Sequence, residues 1–484
     1  MASVKGNIFL NGINTITSII FPVITFPYAA RVLLPEGIGA VNFLNSIVNY
    51  IVLLTSLGIP MYALKEVAKY RNDIHKRNKI TIELILLSSI LCIIGYLIVL
   101  ILSKCVPQIN DQSALFYILS LSIFFNAIGV NWYYQGIEDF KFITIRGVIF
   151  RLISALSLFL FVKDSKDILI YGLIIVGSTV GNNLINFINL KSFINLKDID
   201  LTKLNILKHI KPSIEIFLVT IIISLYVQLN SIMLGFISGE EAVGFYSGGI
   251  KITQVAQTLI VSLGTVMVPH CAHMIHIGDL NGFHSTIKKS LQVTLCVAYP
   301  LLFGSIILAK PIILTFCGPD YYASIDVFRY NTPLILLSCI SSLIATQVLF
   351  TQERIKPIIK SVTVGAILDI ILNYLLIPLY GASGASITAT LTEGVVLIML
   401  FLLGYRYIPF KPRDLINIKY ILSSLFMSII ICLIIRDIQN LFNQLWVGLF
   451  IGSLSYVAIM ILIKDAIFYE LVGWITKKLH INKS

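Results

Sequence analysis

Four of the basic residues in or next to long apolar runs stand out, because a cation there needs a specific reason to be. They are Arg31, Arg151, Lys251 and Arg329. A cation inside a membrane helix costs at least about 2.5–3.5 kcal/mol unless it faces protein or water. The guanidinium fork of arginine also suits bidentate binding of phosphate oxygens. The four residues therefore predict a cationic pathway for an anionic group.

Each of these cations has a plainer alternative. For Lys251 we favour a cavity lining over an ion pair within the bundle, because it lies about 12 Å into its run, far for snorkelling. Arg329 lies three residues after Asp326, so an internal ion pair is at least as good a reading. Headgroup anchoring is open for Arg31, and snorkelling to the cytoplasmic interface is open for Arg151.

Polar side chains accompany the cations. Asn42, Asn45 and Asn49 recur at spacings of three and four, so they share one helix face. Gln254 follows Lys251 by three residues. Hydrogen bonding between helices is one interpretation of this polar face, and contact with the hydroxyl groups of a polar ligand is the other. We predict that it lines the cavity.

Two acids fall in the middle of apolar runs, namely Asp369 and Glu393. Carboxyls at this depth are candidates for ion coupling, and pairing with one of the cations above is the equal alternative. Glu83 and Glu215 lie within a turn of the predicted cytoplasmic face, so we expect both to be solvated. The run 132–134 (Trp-Tyr-Tyr) is predicted to be an interfacial aromatic belt. Neither a metal site nor a cofactor is expected.

Composition makes the bilayer the main solvent. The chain has 484 residues, 57% hydrophobic and only 12% charged, with a mean hydropathy of +0.90. A soluble protein of this length would need much more charge on its surface. The net charge of +12 is attributed to basic cytoplasmic loops and not to nucleic-acid binding. An all-α integral membrane protein is predicted.

Apolar runs of about 20 residues predict fourteen membrane-spanning helices. The basic loop 65–79 follows the second run and holds six Lys and Arg with two acids, so it is assigned to the cytoplasm, and both termini with it. The predicted spans are 9–30, 38–64, 80–102, 113–134, 146–162, 168–190, 213–236, 243–269, 290–309, 325–350, 361–378, 385–408, 418–435 and 443–463.

The spans divide into two sets of six plus two. We predict an N-terminal lobe over 1–190, a cytoplasmic linker over 191–211, a C-terminal lobe over 212–408, and two extra helices with a cytoplasmic tail over 409–484. A faint repeat supports this division: AVNF at 40–43 resembles AVGF at 242–245, and EDFK at 138–141 resembles ERIK at 353–356. Six-span offsets would give both halves the same orientation.

Three motifs resemble the polysaccharide repeat-unit flippases of the O-antigen, Wzx type. They are PYAARVLLPEGIGAVNF with LGIPMYALKEVAKYRND, then NWYYQGIEDFKFITIRG, and LDIILNYLLIPLYGASGASITATLTE. These flippases belong to the multidrug/oligosaccharidyl-lipid/polysaccharide exporter superfamily. The resemblance covers roughly residues 1 to 410. The motif of the first hairpin includes an arginine at the place of Arg31, which raises that residue above an ordinary anchor.

The resemblance implies a V-shaped bundle like that of the multidrug and toxin extruders. It implies transfer of an undecaprenyl-pyrophosphate-linked oligosaccharide from the inner to the outer leaflet of the bacterial cytoplasmic membrane, by alternating access. Membrane lipids, a polysaccharide polymerase and a chain-length regulator are the implied partners, and a monomer is expected.

Other functions remain open at this stage. A multidrug extruder or a lipid II flippase of the same superfamily is the first alternative, although extruders of cations should carry acids in the cavity. A membrane glycan polymerase is less favoured, because the outward loops are short. No Walker A, H-E-x-x-H or G-x-S-x-G motif is present, so an enzyme is not expected.

Overall fold

A computed structural model describes residues 4–194, 204–265, 267–470 and 473, and the regular structure in these ranges is helical. The predicted all-α membrane fold is confirmed. The chain forms two compact units, residues 1–244 and 245–484. The predicted lobe boundaries at 190 and 212 stay a prediction.

Among its described residues, the first unit has nine α-helices and the first turn of a tenth. Their bounds are α1 Val4–Ser56, α2 Ile59–Lys69, α3 Ile74–Cys105, α4 Pro107–Asp111, α5 Ser113–Ile128, α6 Asn131–Gly136, α7 Phe140–Phe161, α8 Ile168–Leu190, α9 Ile210–Ser238 and α10 Glu240–Thr265. A 3₁₀ turn, Leu207–His209, precedes α9.

The described part of the second unit has the rest of α10 and eight further α-helices. They are α11 Val268–His276, α12 Leu280–Ile307, α13 Ala309–Phe316, α14 Ser324–Asn331, α15 Leu334–Ser342, α16 Ile355–Gly404, α17 Ile418–Ile435 and α18 Leu441–Leu462. A π-helical segment, Leu343–Phe350, continues α15, and 3₁₀ turns cover Pro319–Tyr321 and Pro412–Leu415.

Two long helices each contain a sharp break. In α1 the break is Leu34, with φ 61° and ψ 173°, directly before Pro35, whose ring disfavours a helical residue in front of it. In α16 the break is Gly381, with φ 53°. The first break falls in the predicted turn between spans one and two, and the second falls between spans eleven and twelve.

The end of the second predicted span is wrong by several residues. The second span was placed over 38–64, but α1 ends at Ser56, where Leu57 and Gly58 take left-handed φ values of 46° and 71°. The short helix α2 then starts with a proline in its first turn. The fourth predicted span, 113–134, agrees with the apolar helical segment 113–136, in which Gly129 and Val130 separate α5 from α6.

Among the described residues, ten helical segments are long and apolar enough to cross a membrane. Two of them, 12–56 and 355–404, are the broken helices and are long enough for two crossings each. The count of fourteen crossings stays a prediction.

The backbone supports the internal repeat and corrects its register. Glu138 and Glu353 both have positive φ, 61° and 59°, so the second pair of motifs is equivalent in conformation. In the first pair, Leu34 (ψ 173°) matches Gly239 (φ 87°, ψ 176°). This match pairs Leu34–Gly39 with Gly239–Gly244, so the predicted pairing of 40–43 with 242–245 is out of register by three residues.

The two copies of this turn, 34–39 and 239–244, contact each other at Gly39 and Gly244. A Cβ on Gly39 would lie 1.7 Å from the Glu240 carbonyl oxygen, and a Cβ on Gly244 would lie 1.9 Å from the Pro35 carbonyl oxygen. The contact is reciprocal, as a local two-fold relation requires. Backbone can approach backbone this closely only where neither residue carries a side chain.

Substitution Gly39→Ala should therefore destabilise the protein strongly, by more than about 2 kcal/mol, because the obstructing atom is backbone and cannot rotate away. Gly177→Ala in α8 is the matched control, since a Cβ there meets nothing within 4 Å. Thermal unfolding of both purified variants measures the difference. Equal unfolding temperatures would contradict this contact.

Candidate functional site

A polar cavity of about 300 Å³ lies within the first unit. Its wall includes Asn49 of α1, Ser88 of α3, Asn126 of α5, Trp132 of α6 and Gln228 of α9. Amide and hydroxyl groups beside an indole ring are the usual partners of sugar hydroxyls and sugar faces. Of the three asparagines predicted to face a cavity, Asn49 lines this one, while Asn42 and Asn45 are half-buried elsewhere on α1.

The aromatic run 132–134 is not the interfacial belt that we predicted. Trp132, Tyr133 and Tyr134 are all buried inside the first unit. The Tyr134 hydroxyl donates to the Asn186 carbonyl oxygen at 2.7 Å, and the Arg77 guanidinium lies 5.5 Å from the centre of the Tyr133 ring. The left-handed residues Val130 (φ 34°) and Glu138 (φ 61°) bound α6 and set the direction of this short helix, which hydropathy cannot reveal.

A cavity that contains water can be tested by thiol labelling. Ser88→Cys, in a background without the seven native cysteines, should react with a water-soluble maleimide, because the thiolate forms only where water reaches. Ser120→Cys is the control, since Ser120 is buried in α5 and does not line the cavity. Equal labelling of the two thiols would contradict a hydrated cavity.

Arg151 lies on a second, smaller cavity of about 190 Å³ between α1, α7 and α8. Its Nη1 atom donates to the Asn14 Oδ1 atom at 2.9 Å and to the Thr17 Oγ1 atom at 2.7 Å. Ser18, Ser154 and Ser178 also line this cavity. The guanidinium is therefore held by α1 inside the bundle, and this contact replaces the snorkelling alternative.

The other three predicted cations have different surroundings. Arg329 forms the ion pair with Asp326 that the sequence left open, at 3.3 Å, and both side chains are about half exposed. Lys251 is half-buried in α10, next to the exposed Gln254. Arg31 is exposed just before the break in α1.

The two intramembrane acids both belong to α16. Asp369 is fully buried and accepts a hydrogen bond from the Asn373 Nδ2 atom at 3.0 Å. In the part of the chain that the structure describes, no ion pair includes Asp369, so the predicted alternative of a cationic partner does not hold for this residue. Glu393 is nearly buried, at 6% exposure.

The expectation that Glu83 is solvated is wrong, whereas Glu215 is exposed as predicted. The Glu83 carboxylate is fully buried and accepts from the Lys208 ammonium at 2.7 Å, from the His209 Nε2 atom at 2.9 Å and from the Asn205 N–H at 2.8 Å. The His209 Nδ1 atom lies 3.0 Å from the Tyr62 hydroxyl. This network ties the start of α9 to α2 and α3.

The network should make stability depend on pH. Burial lowers the pKa of His209 below its ordinary value, although the hydrogen bond to Glu83 opposes this effect. Below about pH 6.5 the unfolded chain then binds more protons than the folded one, so stability falls on acidification. Thermal unfolding at about pH 7.5 and about pH 5.5 should show this loss, and His209→Gln should reduce it.

His276→Gln is the control, because His276 is exposed at the end of α11. The same loss of stability in wild type and in His209→Gln would remove His209 as its source.

Solved structures of two transporters share this fold. The lipid II flippase MurJ in an inward closed conformation has a TM-score of 0.74 at 18% identity, covering 95% of this chain and 100% of that protein. An inward-facing multidrug resistance MATE family transporter of the MOP superfamily has a TM-score of 0.65 at 13% identity, covering 80% and 93%. This chain therefore has the fold of these two transporters.

The particular family follows from the sequence comparisons. The model of the polysaccharide biosynthesis protein family matches residues 4–275, more than half of the chain, so the protein belongs to this family. The "Putative O-antigen transporter" of Escherichia coli K12 is 26% identical over 401 residues, 81% of this chain and 95% of the relative. The protein of that name from Shigella dysenteriae is 24% identical, covering 82% and 99%. The resemblance drawn from the three motifs is confirmed.

Proposed function

We propose that this protein transfers undecaprenyl-pyrophosphate-linked oligosaccharide repeat units from the inner to the outer leaflet of the bacterial cytoplasmic membrane. Membership in the polysaccharide biosynthesis protein family, together with the names of the relatives, supports a polysaccharide flippase of the exporter superfamily. The fold shared with a lipid II flippase is consistent with a lipid-linked cargo.

The observation that carries the proposal is the polar cavity of the first unit. The side-chain amides of Asn49, Asn126 and Gln228 each have a hydrogen-bond donor and an acceptor, and Trp132 has a flat apolar face. A sugar presents hydroxyls at its edge and C–H groups on its face, so both kinds of surface are used. Such a lining would be costly in a membrane protein without a polar ligand or water to satisfy it.

The anionic head needs cations that are held in place. In the proposal Arg151 contributes most, because the contacts of Nη1 with Asn14 and Thr17 orient the guanidinium fork. Lys251 and Arg31 contribute charge along the path, with Gln254, Asn42 and Asn45 as polar neighbours. Arg329 contributes less, because its charge is shared with Asp326.

The lipid tail needs an apolar surface of its own. A groove of about 480 Å³ in the second unit lies between α12, α17 and α18. Val297, Leu301 and Ile431 are among its apolar lining residues. Gly448 and Gly452 of α18 also line the groove and have no side chain to fill it. We assign the polyprenyl chain to this groove, which gives the two C-terminal helices a role.

Ion coupling is assigned to α16 in this proposal. Asp369 is buried with an amide partner, so gain or loss of a coupling ion would change its interactions directly. Glu393 is the second candidate. The family indicates a transporter and not an enzyme. We further propose that the protein acts as a monomer, together with a polymerase and a chain-length regulator.

Deletion and complementation test the function. Wild-type protein should restore lipid-linked oligosaccharide to the outer leaflet of a deletion strain. Arg151→Ala and Lys251→Ala should reduce that amount by about tenfold, because a charge-assisted contact with the head group is lost. The measurement is leaflet-specific labelling of the oligosaccharide.

Arg413→Ala is the matched control, since Arg413 is a highly exposed cation in a 3₁₀ turn. Normal flipping by all three variants would remove Arg151 and Lys251 from the pathway. Efflux of cationic dyes by the wild-type protein, without restored oligosaccharide, would instead favour a multidrug extruder.

A further inference from the structure

Arg146 is a buried cation that the transport pathway above does not use. Its side chain in α7 is 8% exposed. The Nε atom donates to the Asn182 Oδ1 atom at 2.9 Å, and the Nη2 atom donates to the Asn131 Oδ1 atom at 3.1 Å. Within the described ranges the Nη1 atom is buried with no hydrogen-bond partner. The two amides orient the guanidinium, and no ion pair in the described part of the chain gives it an acidic partner.

Arg146 lies on an open groove of about 450 Å³ formed by the first half of α7 and the end of α8. The apolar wall of this α7–α8 groove consists of Phe142, Ile145, Ile149 and Phe150 from α7 and Ile185 from α8. Gly181 of α8 allows the Phe150 ring to lie directly on the helix backbone, because a Cβ there would meet the ring at 2.0 Å. The groove is a shallow apolar channel with a cation in its side.

The groove opens where α7 begins, and this mouth carries further positive charge. Lys141 is exposed at the mouth. Asp139 also lies there, but its Oδ1 atom accepts the Phe142 N–H at 3.1 Å as the helix cap. The neighbouring Glu138 is paired with Arg71 at 2.9 Å. The acids near the mouth are thus engaged, and Lys141 and Arg146 leave the site with a net positive charge.

We propose that the α7–α8 groove binds a membrane phospholipid with an anionic headgroup, whose phosphate contacts Arg146 and Lys141 and whose acyl chain lies along the apolar wall. The site is separate from the cargo pathway. It lies at the end of α7 that the Lys and Arg distribution assigns to the cytoplasm, where acidic lipids attract basic surfaces.

The dimensions of the groove fit this occupant. From Asp139 to Phe150 the helix rises by about 16 Å, at about 1.5 Å per residue. One leaflet of the hydrocarbon core is about 15 Å deep, half of about 30 Å. The groove therefore begins at the interface and ends near the middle of the bilayer, as the acyl chain of a phospholipid does.

The charge selects the headgroup. Because the Nη1 atom is buried, a phosphate oxygen reaches it only when the Arg146 side chain turns toward the groove, and it then supplies the acceptor that this atom lacks, in a charge-assisted hydrogen bond. A zwitterionic lipid also has a phosphate, but its ammonium group would be repelled by Lys141 and by the basic loop that Arg71 belongs to. The expected order is phosphatidylglycerol above phosphatidylcholine.

Native mass spectrometry of the full-length protein tests the site, with phosphatidylglycerol or phosphatidylcholine of identical chains added in detergent. Wild type should retain one phosphatidylglycerol with at least about tenfold preference. Arg146→Gln and Ile149→Trp should both lose this preference, the first by removing the charge and the second by filling the groove. Inorganic phosphate should not compete, because it lacks the acyl chain.

Matched controls keep the result decisive even if Arg146→Gln does not fold. Ile153→Trp places the same bulk one turn further along α7, where it does not line the groove, and the exposures of Ile149 and Ile153 are 47% and 48%. Lys163→Gln removes an exposed cation beyond the other end of α7. Both should bind phosphatidylglycerol as wild type does.

Three results would overturn the proposal. The first is equal retention of both lipids by wild type, and the second is undiminished retention of phosphatidylglycerol by Ile149→Trp. The third is displacement of phosphatidylglycerol by an equimolar amount of undecaprenyl phosphate, which would assign the groove to the polyprenyl carrier. None of these results depends on whether the protein flips oligosaccharide.

Discussion

The structure depends on one constraint, that a polar group placed in the bilayer needs a partner, which in most cases the protein itself supplies. Lipid offers neither hydrogen bonds nor counter-ions, so an unsatisfied group costs several kcal/mol. Arg151 is held by a side chain of α1, Asp369 by an amide one turn away, and Glu83 by a lysine and a histidine. In each case the partner comes from within a compact unit. The polar residues thereby fix which helices can be neighbours.

A second constraint is the close approach of backbones where the chain turns. The reciprocal contact of Gly39 and Gly244 brings two copies of one turn together without any side chain between them. Small residues provide the packing that the hydrophobic effect cannot provide between helices in lipid. Conserving this geometry in both copies gives the repeat a physical meaning beyond the similarity of letters.

A polar cavity and apolar grooves coexist because the proposed cargo has two incompatible parts. A glycan head needs hydrogen-bonding groups and water, and a polyprenyl tail needs contact with apolar surface. The cavity with Asn49 and Trp132 offers the first environment, and the groove beside α17 and α18 offers the second. The α7–α8 groove combines an apolar wall with Arg146, which suits a shorter amphipathic lipid.

The sequence alone determined the class of molecule, because hydropathy and loop charge depend on composition over about 20 residues and not on which helices touch. It also located the breaks near Pro35 and Gly381 and the cations at Arg151 and Lys251. Only the tertiary structure decided which polar residues are satisfied by protein and which face a cavity. Trp132 was expected at an interface and Glu83 in water, and Arg146 was not singled out as a candidate site residue. The surroundings of all three side chains depend on partners that are distant in the chain. Hydropathy reports depth in the membrane, whereas the neighbour of a buried side chain is set by helix packing.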